Sequence, residues 1–371
     1  MNIHLRELAI AQSFVLSLGC LFLFGSCREQ EELFYSMEDF PNVPKVDVHV
    51  HINTSNPALV EQAEADNFFL LTINVDVPDY PSIEQQMRYA EELRQRHPKR
   101  LYFLSTFKAE QILQNSQSSQ SAIEALKKAQ EKGSVGVKVW KNIGMVIKND
   151  QDQFVQIDDP VFEEVFDFLA KNDIPVCGHI GEPRNCWLPL EQMTVNNDRN
   201  YYERHPQYHM YQHPEYPSHD HLIGARDQLL EKHPDLKFIG THLGSMEWNV
   251  DEISKRLDKY PNMAVDLTAR ISHLQYQSLA DWQRVRDFMI QYQDRIMYGT
   301  DLHVTEEQGP SNVKSNAHQT WSRDWQYLVT QDSMENNLVN GKFKGLGLPQ
   351  AVVDKIYFEN ANEWYALGLM P

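Results

Sequence analysis

Cysteine and positive charge are both scarce in this sequence. Four cysteines are spread over 371 residues, too few for a disulfide framework to stand in for a hydrophobic core. The 34 Lys and Arg are outnumbered by 52 Asp and Glu, for a formal charge of −18. Phosphate contacts need clustered Lys and Arg, so the balance argues against nucleic acid as a partner. There is no internal repeat of solenoid period, and low complexity is confined to a short Gln/Ser cluster at 114–120. Apolar material is plentiful: 42% of residues are hydrophobic and 11% aromatic, enough to bury a full core. The length suits one large α/β barrel of about 250 residues plus insertions better than two ordinary domains.

The N-terminus differs in composition from the rest. The run from Leu8 to Phe24 is almost wholly apolar and ends in Leu23-Phe24-Gly25-Ser26-Cys27. An apolar run, small residues and then Cys resembles a bacterial lipoprotein signal peptide, with Cys27 as the candidate lipobox cysteine. Phe24 stands where Leu is usual, and the leading segment offers only Arg6, offset by Glu7. The run is also long enough to be a plain membrane anchor. The acidic stretch Arg28-Glu29-Gln30-Glu31-Glu32 reads as a solvated tether. The expected organisation is a signal peptide over 1–27, a tether over 28–44 and an enzyme over 45–371, exported and lipid-anchored to the bacterial envelope. Cys177 and Cys186 would be the cysteines left after cleavage, free to pair with each other or, for Cys177 in its apolar strand, to pack.

From Lys45 onward short β-rich runs alternate with helical ones, the pattern of βαβ units around a parallel sheet. Strands are predicted at 45–51, 68–77, 101–107, 135–141, 174–180, 237–243, 263–268 and 295–301, which suits a closed (β/α)8 TIM barrel. Helices are predicted at 82–97, ending before Pro98, and at 121–132, ending at Gly133; Asp159-Pro160 opens another. The connection over 181–220 is far longer than the usual βα loop of about 2–6 residues. It carries Trp187, Tyr201, Tyr202, Tyr208, Tyr211 and Tyr216 beside His205, His209 and His213. That aromatic content predicts an ordered cap over the barrel mouth.

The chemistry-bearing residues sit where these strands end. In Val46-Asp47-Val48-His49-Val50-His51, strand alternation predicts Asp47, His49 and His51 on one inward face. His-x-His alone is weak: with 15 His, about one such pair arises by chance, and His219-Asp220-His221 is a second, read as lying among turn residues. Strand context lifts the first. The fourth strand buries Lys138 among β-branched residues, and the fifth, sixth and eighth end in His179, His242 and Asp301. A lone polar residue at a strand end is best read as a satisfied core group. Several strands ending this way point to a metal centre at the barrel mouth.

The order His-x-His, Lys, His, His, Asp on strands one, four, five, six and eight resembles the amidohydrolase superfamily, more closely its amidohydrolase-related (amidohydrolase 2) group of metal-dependent barrel hydrolases. The resemblance implies His49, His51, His179 and Asp301 as ligands of a divalent ion, zinc foremost. It implies Lys138 as a carbamylated bridge if there are two ions, and His242 as a second-metal ligand or as the group that polarises the substrate. Uncarbamylated, Lys138 is expected to face a substrate carboxylate. Asp301 would move the proton of a metal-activated water that attacks an amide, ester or lactone carbonyl of a small molecule. Lys141, Glu182, Arg184 and Arg270 are the expected substrate-binding residues, with Glu182 and Arg184 alternatively pairing with each other, and Trp140 and Trp187 as apolar walls. Two other readings stay open: a metal-dependent non-oxidative decarboxylase of the same superfamily, and a non-catalytic ligand-binding lipoprotein. Oligomeric state is open too, a homo-oligomer included.

Overall fold

The computed structural model describes residues 32–114 and 118–370. Its main strands are β1 Lys45–Asn53, β2 Phe68–Ile73, β3 Leu101–Thr106, β4 Val137–Val139, β5 Val176–Gly178, β6 Phe238–Gly240, β7 Met263–Asp266, β8 Ile296–Met297 and β9 Leu302–Thr305. They form one sheet in the order β8-β7-β6-β5-β4-β3-β2-β1-β9, and every pairing is parallel. Beyond β8 the chain crosses back to β1: Val48 N–H donates to Tyr298 O (3.0 Å) and Asp301 N–H to His49 O (2.8 Å). β9 then runs beside Val50–Asn53. The ring is closed, and the fold is the α/β TIM barrel that the alternation predicted.

The eighth strand departs from expectation by coming in two pieces. Asp301 has φ +71°, a left-handed turn that ends one ladder and starts the next. β4, β5, β6 and β8 also stop short of the predicted ends, so that His179, His242 and Asp301 lie just past hydrogen-bonded strand rather than on it.

Strand β1 holds a larger surprise. Val46 and Val48 share a buried cluster with Leu71, Ile73, Leu104, Cys177, Ile239, Ala264 and Met297, side chains of the barrel interior. Val50 and Ile52 belong instead to the layer between strands and helices. The register with β2 shifts between Asp47 and Val50. Such a bulge places Val48 and His49 on one side and reverses the facing of the residues after them. Asp47 therefore does not share a face with the two histidines. It points outward and accepts from Trp321 Nε1 (2.9 Å) and Thr300 Oγ1 (2.6 Å).

The helices follow local chemistry. Ser82 caps Ile83–Arg96, its side chain accepting from Gln85 N–H. The next helix covers Ser118–Glu131, with Gly133 at φ +92° past its end. Asp159 accepts from Val161 N–H ahead of Pro160–Phe162 and Glu163–Lys171. His219 and His221 open the helix His219–Lys232 instead of lying among turn residues. The long connection is ordered, carrying Asn196–Arg204 and short 3-10 turns at Arg184–Trp187, Leu190–Gln192, Pro206–Tyr208 and Met210–Gln212. Buried Asp198 ties it down through Asn185 Nδ2 (2.9 Å) and His273 Nε2 (3.1 Å).

Residues 33–44, expected as part of a tether over 28–44, belong instead to the compact unit that begins at Leu33. Tyr35 OH donates to Asp354 (2.8 Å) and Trp325 Nε1 to Ser36 O (3.0 Å). Lys45 Nζ donates to Val43 O (2.6 Å) and lies over the rings of Phe40, Phe68 and Trp325 at 4.7, 4.8 and 5.4 Å. The expected signal peptide with Cys27 lies outside the described residues. No described helix is long and apolar enough to cross a membrane. Cys177 and Cys186 are both buried and free, so they do not pair.

Candidate metal centre

The strand ends bring His49, His51, His179, His242 and Asp301 together. His49 and His51 rings are 5.2 Å apart, His49 and His242 5.5 Å, and His179 and His242 4.3 Å. Asp301 Oδ1 lies 3.4 Å from His51 Nε2 and 3.6 Å from His49 Nε2. His49, His51 and Asp301 thus offer ligand atoms within 4.8 Å of one another.

Hydrogen bonding settles which ring nitrogens face the centre. His51 Nδ1 donates to Ile73 O (3.1 Å) and His242 Nδ1 to Thr268 O (2.9 Å), while His49 Nδ1 meets the Asp266 carboxylate (3.4 Å). A ring that gives its Nδ1 proton outward presents the Nε2 lone pair inward, the arrangement of metal-binding histidines. His179 Nε2 is buried with no hydrogen-bond partner, which for a polar atom in the interior is costly unless something else satisfies it. Burial, with neighbouring cationic groups, holds His49, His179 and His242 well below the usual imidazole range, so their lone pairs are available. Burial tends to raise the Asp301 carboxyl, but the adjacent His51, His49 and His242 outweigh it and hold it well below the usual carboxylate range. Converging acceptors around an anionic oxygen fit a divalent cation, and the imidazole-and-carboxylate set is chemically suited to one.

A strained loop holds His242. Residues His242, Leu243, Gly244 and Ser245 all have positive φ, +59°, +57°, +65° and +55°, so the chain after β6 makes a left-handed turn. L-residues resist this by about 1–2 kcal/mol each. The turn is held from all sides: Asp266 Oδ1 accepts from His242 N–H (2.8 Å), and Arg226 Nη1 donates to Gly244 O (2.6 Å). His219 Nε2 donates to Ser245 O (2.9 Å), and Ser245 Oγ to Gly181 O (2.6 Å). Nothing in the residue pattern announces this turn; the lone Gly244 is its one sequence signal.

The remaining predicted site residues scatter. Lys138 Nζ is buried inside the barrel beneath the centre, donating to Thr241 Oγ1 (3.4 Å) and Cys177 Sγ (3.8 Å) on neighbouring staves, and its charge is felt at His49, His179 and Asp266. Lys141 pairs with Glu182 at the rim. Glu182 and Arg184 do not pair with each other: Arg184 reaches Asp220 (3.6 Å) and lies over the Trp248 ring at 4.8 Å. Arg270 is buried, its Nη1 donating to Ala269 O (3.0 Å) and its Nε without a partner. Sequence reasoning missed the pair beside His51: His303 stacks on Tyr80 at 4.8 Å and meets Asn53 Nδ2 (3.0 Å). A histidine two residues past Asp301 was the available signal.

The profile of the amidohydrolase family matches residues 111–367. No curated protein matches this sequence. A TIM-barrel protein of Bordetella bronchiseptica superposes with a TM-score of 0.50 at 14% identity, covering 88% of this chain and 99% of its own. The 2,6-dihydroxybenzoate decarboxylase from Rhizobium gives 0.49 at 16%, covering 88% and 100%. The 5-carboxyvanillate decarboxylase from Novosphingobium aromaticivorans, complexed with manganese, gives 0.49 at 11%, covering 90% and 99%. At such identities the likeness speaks to the fold alone.

Proposed function

The chain belongs to the amidohydrolase family, and on that premise we propose that it is a metal-dependent hydrolase of small molecules that attacks an amide, ester or lactone carbonyl with water. The observation that supports this is the open ligand set. Inward Nε2 atoms converge below Asp301, whose side chain remains 36% exposed toward the mouth. A divalent ion held there, zinc by the imidazole-rich set, supplies Lewis acidity and lets water ionise near neutral pH. The reading takes one ion, held by the His and Asp set, with Lys138 beneath it as an ammonium donating to Thr241 and Cys177.

Asp301 is the group placed to take the proton of the attacking water and pass it to the leaving group, since it is ionised and reaches the mouth. His242 keeps its proton on Nδ1 for Thr268 O. Its Nε2 therefore holds the ion or accepts from water, and has no proton with which to polarise a carbonyl. Asp266 orients both His49 and the backbone of His242.

Decarboxylation is a second reading, favoured by Arg270. Its buried guanidinium is felt by His49, His179 and His242 and would hold a substrate carboxylate. That charge is already balanced by Asp198, Glu247 and Glu182, which favours hydrolysis. The test is a panel of aryl esters, lactones and N-acyl amides run beside hydroxybenzoates, with zinc or manganese supplied. Hydrolysis that disappears on chelation is expected; carbon dioxide release without hydrolysis would replace this reading with decarboxylation.

A further inference from the structure

A second feature of the mouth says what kind of molecule it receives. A cleft of about 560 Å³ lies over the ends of β2 to β5, with walls from Trp140, Tyr201, Tyr208 and Tyr216. Its volume is that of a small-molecule site. The rim pair Lys141–Glu182 lines the cleft, and Tyr80, next to Asp79 of the lining, has its ring 5.6 Å from that of His51. The cleft therefore adjoins the metal centre and is not a remote groove.

The charges in this cleft are one-sided. Asp76 and Asp79 follow β2, Glu110 follows β3 and Glu182 follows β5, against a single Lys141. Lys141 is spent on Glu182. The carboxylates of Asp76, Asp79 and Glu110 have no hydrogen bond or ion pair with any described residue; Lys108, outside the lining, is the cation nearest in effect to Asp76. Burial raises the Asp76 carboxyl, and Glu110 and Glu84 push it the same way, so a cation placed there would relieve an existing repulsion. Aromatic faces beside unpaired carboxylates attract an ammonium group by ring quadrupole and by charge together.

We infer that this cleft binds an aromatic or apolar group carrying a positive charge, as the part of the substrate that lies beyond the scissile carbonyl. Calling that ligand a substrate rests on the hydrolase reading; the binding itself does not. An anionic substrate is disfavoured at the same place. The cleft, not the metal, then sets which carbonyl compound is taken.

The test is calorimetric titration of the full chain with phenethylamine, an ammonium at pH 7, beside 2-phenylethanol and phenyl glucoside as neutral probes. The ammonium is expected to bind about tenfold tighter than the alcohol. That preference should shrink with added salt and vanish in the Asp76→Asn, Asp79→Asn, Glu110→Gln chain, whose folding is checked by circular dichroism. It should persist in Asp301→Asn, which removes hydrolysis and leaves the cleft. Equal or tighter binding of either neutral probe, or a preference unchanged in the triple variant, would overturn the inference. An ammonium preference in a chain with no hydrolysis would leave it standing and sink the hydrolase reading alone.

Discussion

Asp301 concentrates several properties in one residue. Its backbone is left-handed, its N–H closes the barrel onto His49 O, and its carboxylate faces two imidazoles. Asp301→Asn preserves the size and the backbone bond while removing the proposed base. It should lower kcat by about 10²–10⁴-fold with little change in melting temperature; full turnover in a stopped assay would remove Asp301 from the mechanism. Asp324 makes a separate statement about pH. Burial lifts its carboxyl to about 6, although Arg323 and the Tyr298 hydroxyl oppose the shift. A raised folded value means the folded state binds the proton more tightly than the unfolded chain. The stability this provides is complete below about 4 and is lost as pH rises toward about 6, on the order of 2–3 kcal/mol. Asp324→Asn should therefore be more stable relative to wild type at pH 7 than at pH 4 in urea denaturation. Equal differences at the two values would rule this out. At this scale the sequence was readable where chemistry sits at strand ends: His49, His51, His179, His242 and Asp301 do converge. It misled at Asp47, because alternation alone does not reveal a bulge.

At the scale of elements, irregularities place the chemistry and regular strands carry it. The left-handed turn over 242–245 aims His242, and the break at Asp301 splits the eighth strand into β8 and β9. Neither has a periodic signature, which is why predicted strands overran their real ends. Gly244 is the one turn residue without a Cβ. An added methyl there would meet Arg226 Nη1 and Met246 Cε at 3.2 Å while sitting at φ +65°. Gly244→Ala should cost about 1–2 kcal/mol and lower activity by displacing His242; an unchanged denaturation midpoint would show the turn to be unstrained. The segment after Leu33 was misread because its exposed residues look like linker, while its anchors Tyr35, Phe40 and Val43 are few. Lys45, under three rings and donating to Phe40 O and Val43 O, pins it. Lys45→Ala should lose about 2–4 kcal/mol and expose the start of the unit to limited proteolysis. Resistance equal to wild type would contradict that role.

Across the whole molecule, the apolar barrel interior supplies rigidity of its own. The interior cluster is apolar up to the level of Lys138 and Cys177, and the polar set lies above it. Chelation should therefore abolish turnover while far-ultraviolet circular dichroism stays native, with the melting temperature falling only by the binding linkage. Unfolding on chelation would make the site structural. The barrel itself was legible from alternation and length. The ordering of the 181–220 connection was legible from its aromatics, but its tie to His273 through Asp198 was not, since that contact joins segments far apart in the chain. The count of ions decides most between the readings of the centre. Elemental analysis of the purified full chain, wild type beside Lys138→Met, should find one equivalent of divalent metal in both. Two equivalents falling to one or none in the variant would mean a bridged pair and contradict the single-ion centre, as would a wild-type chain that holds no metal.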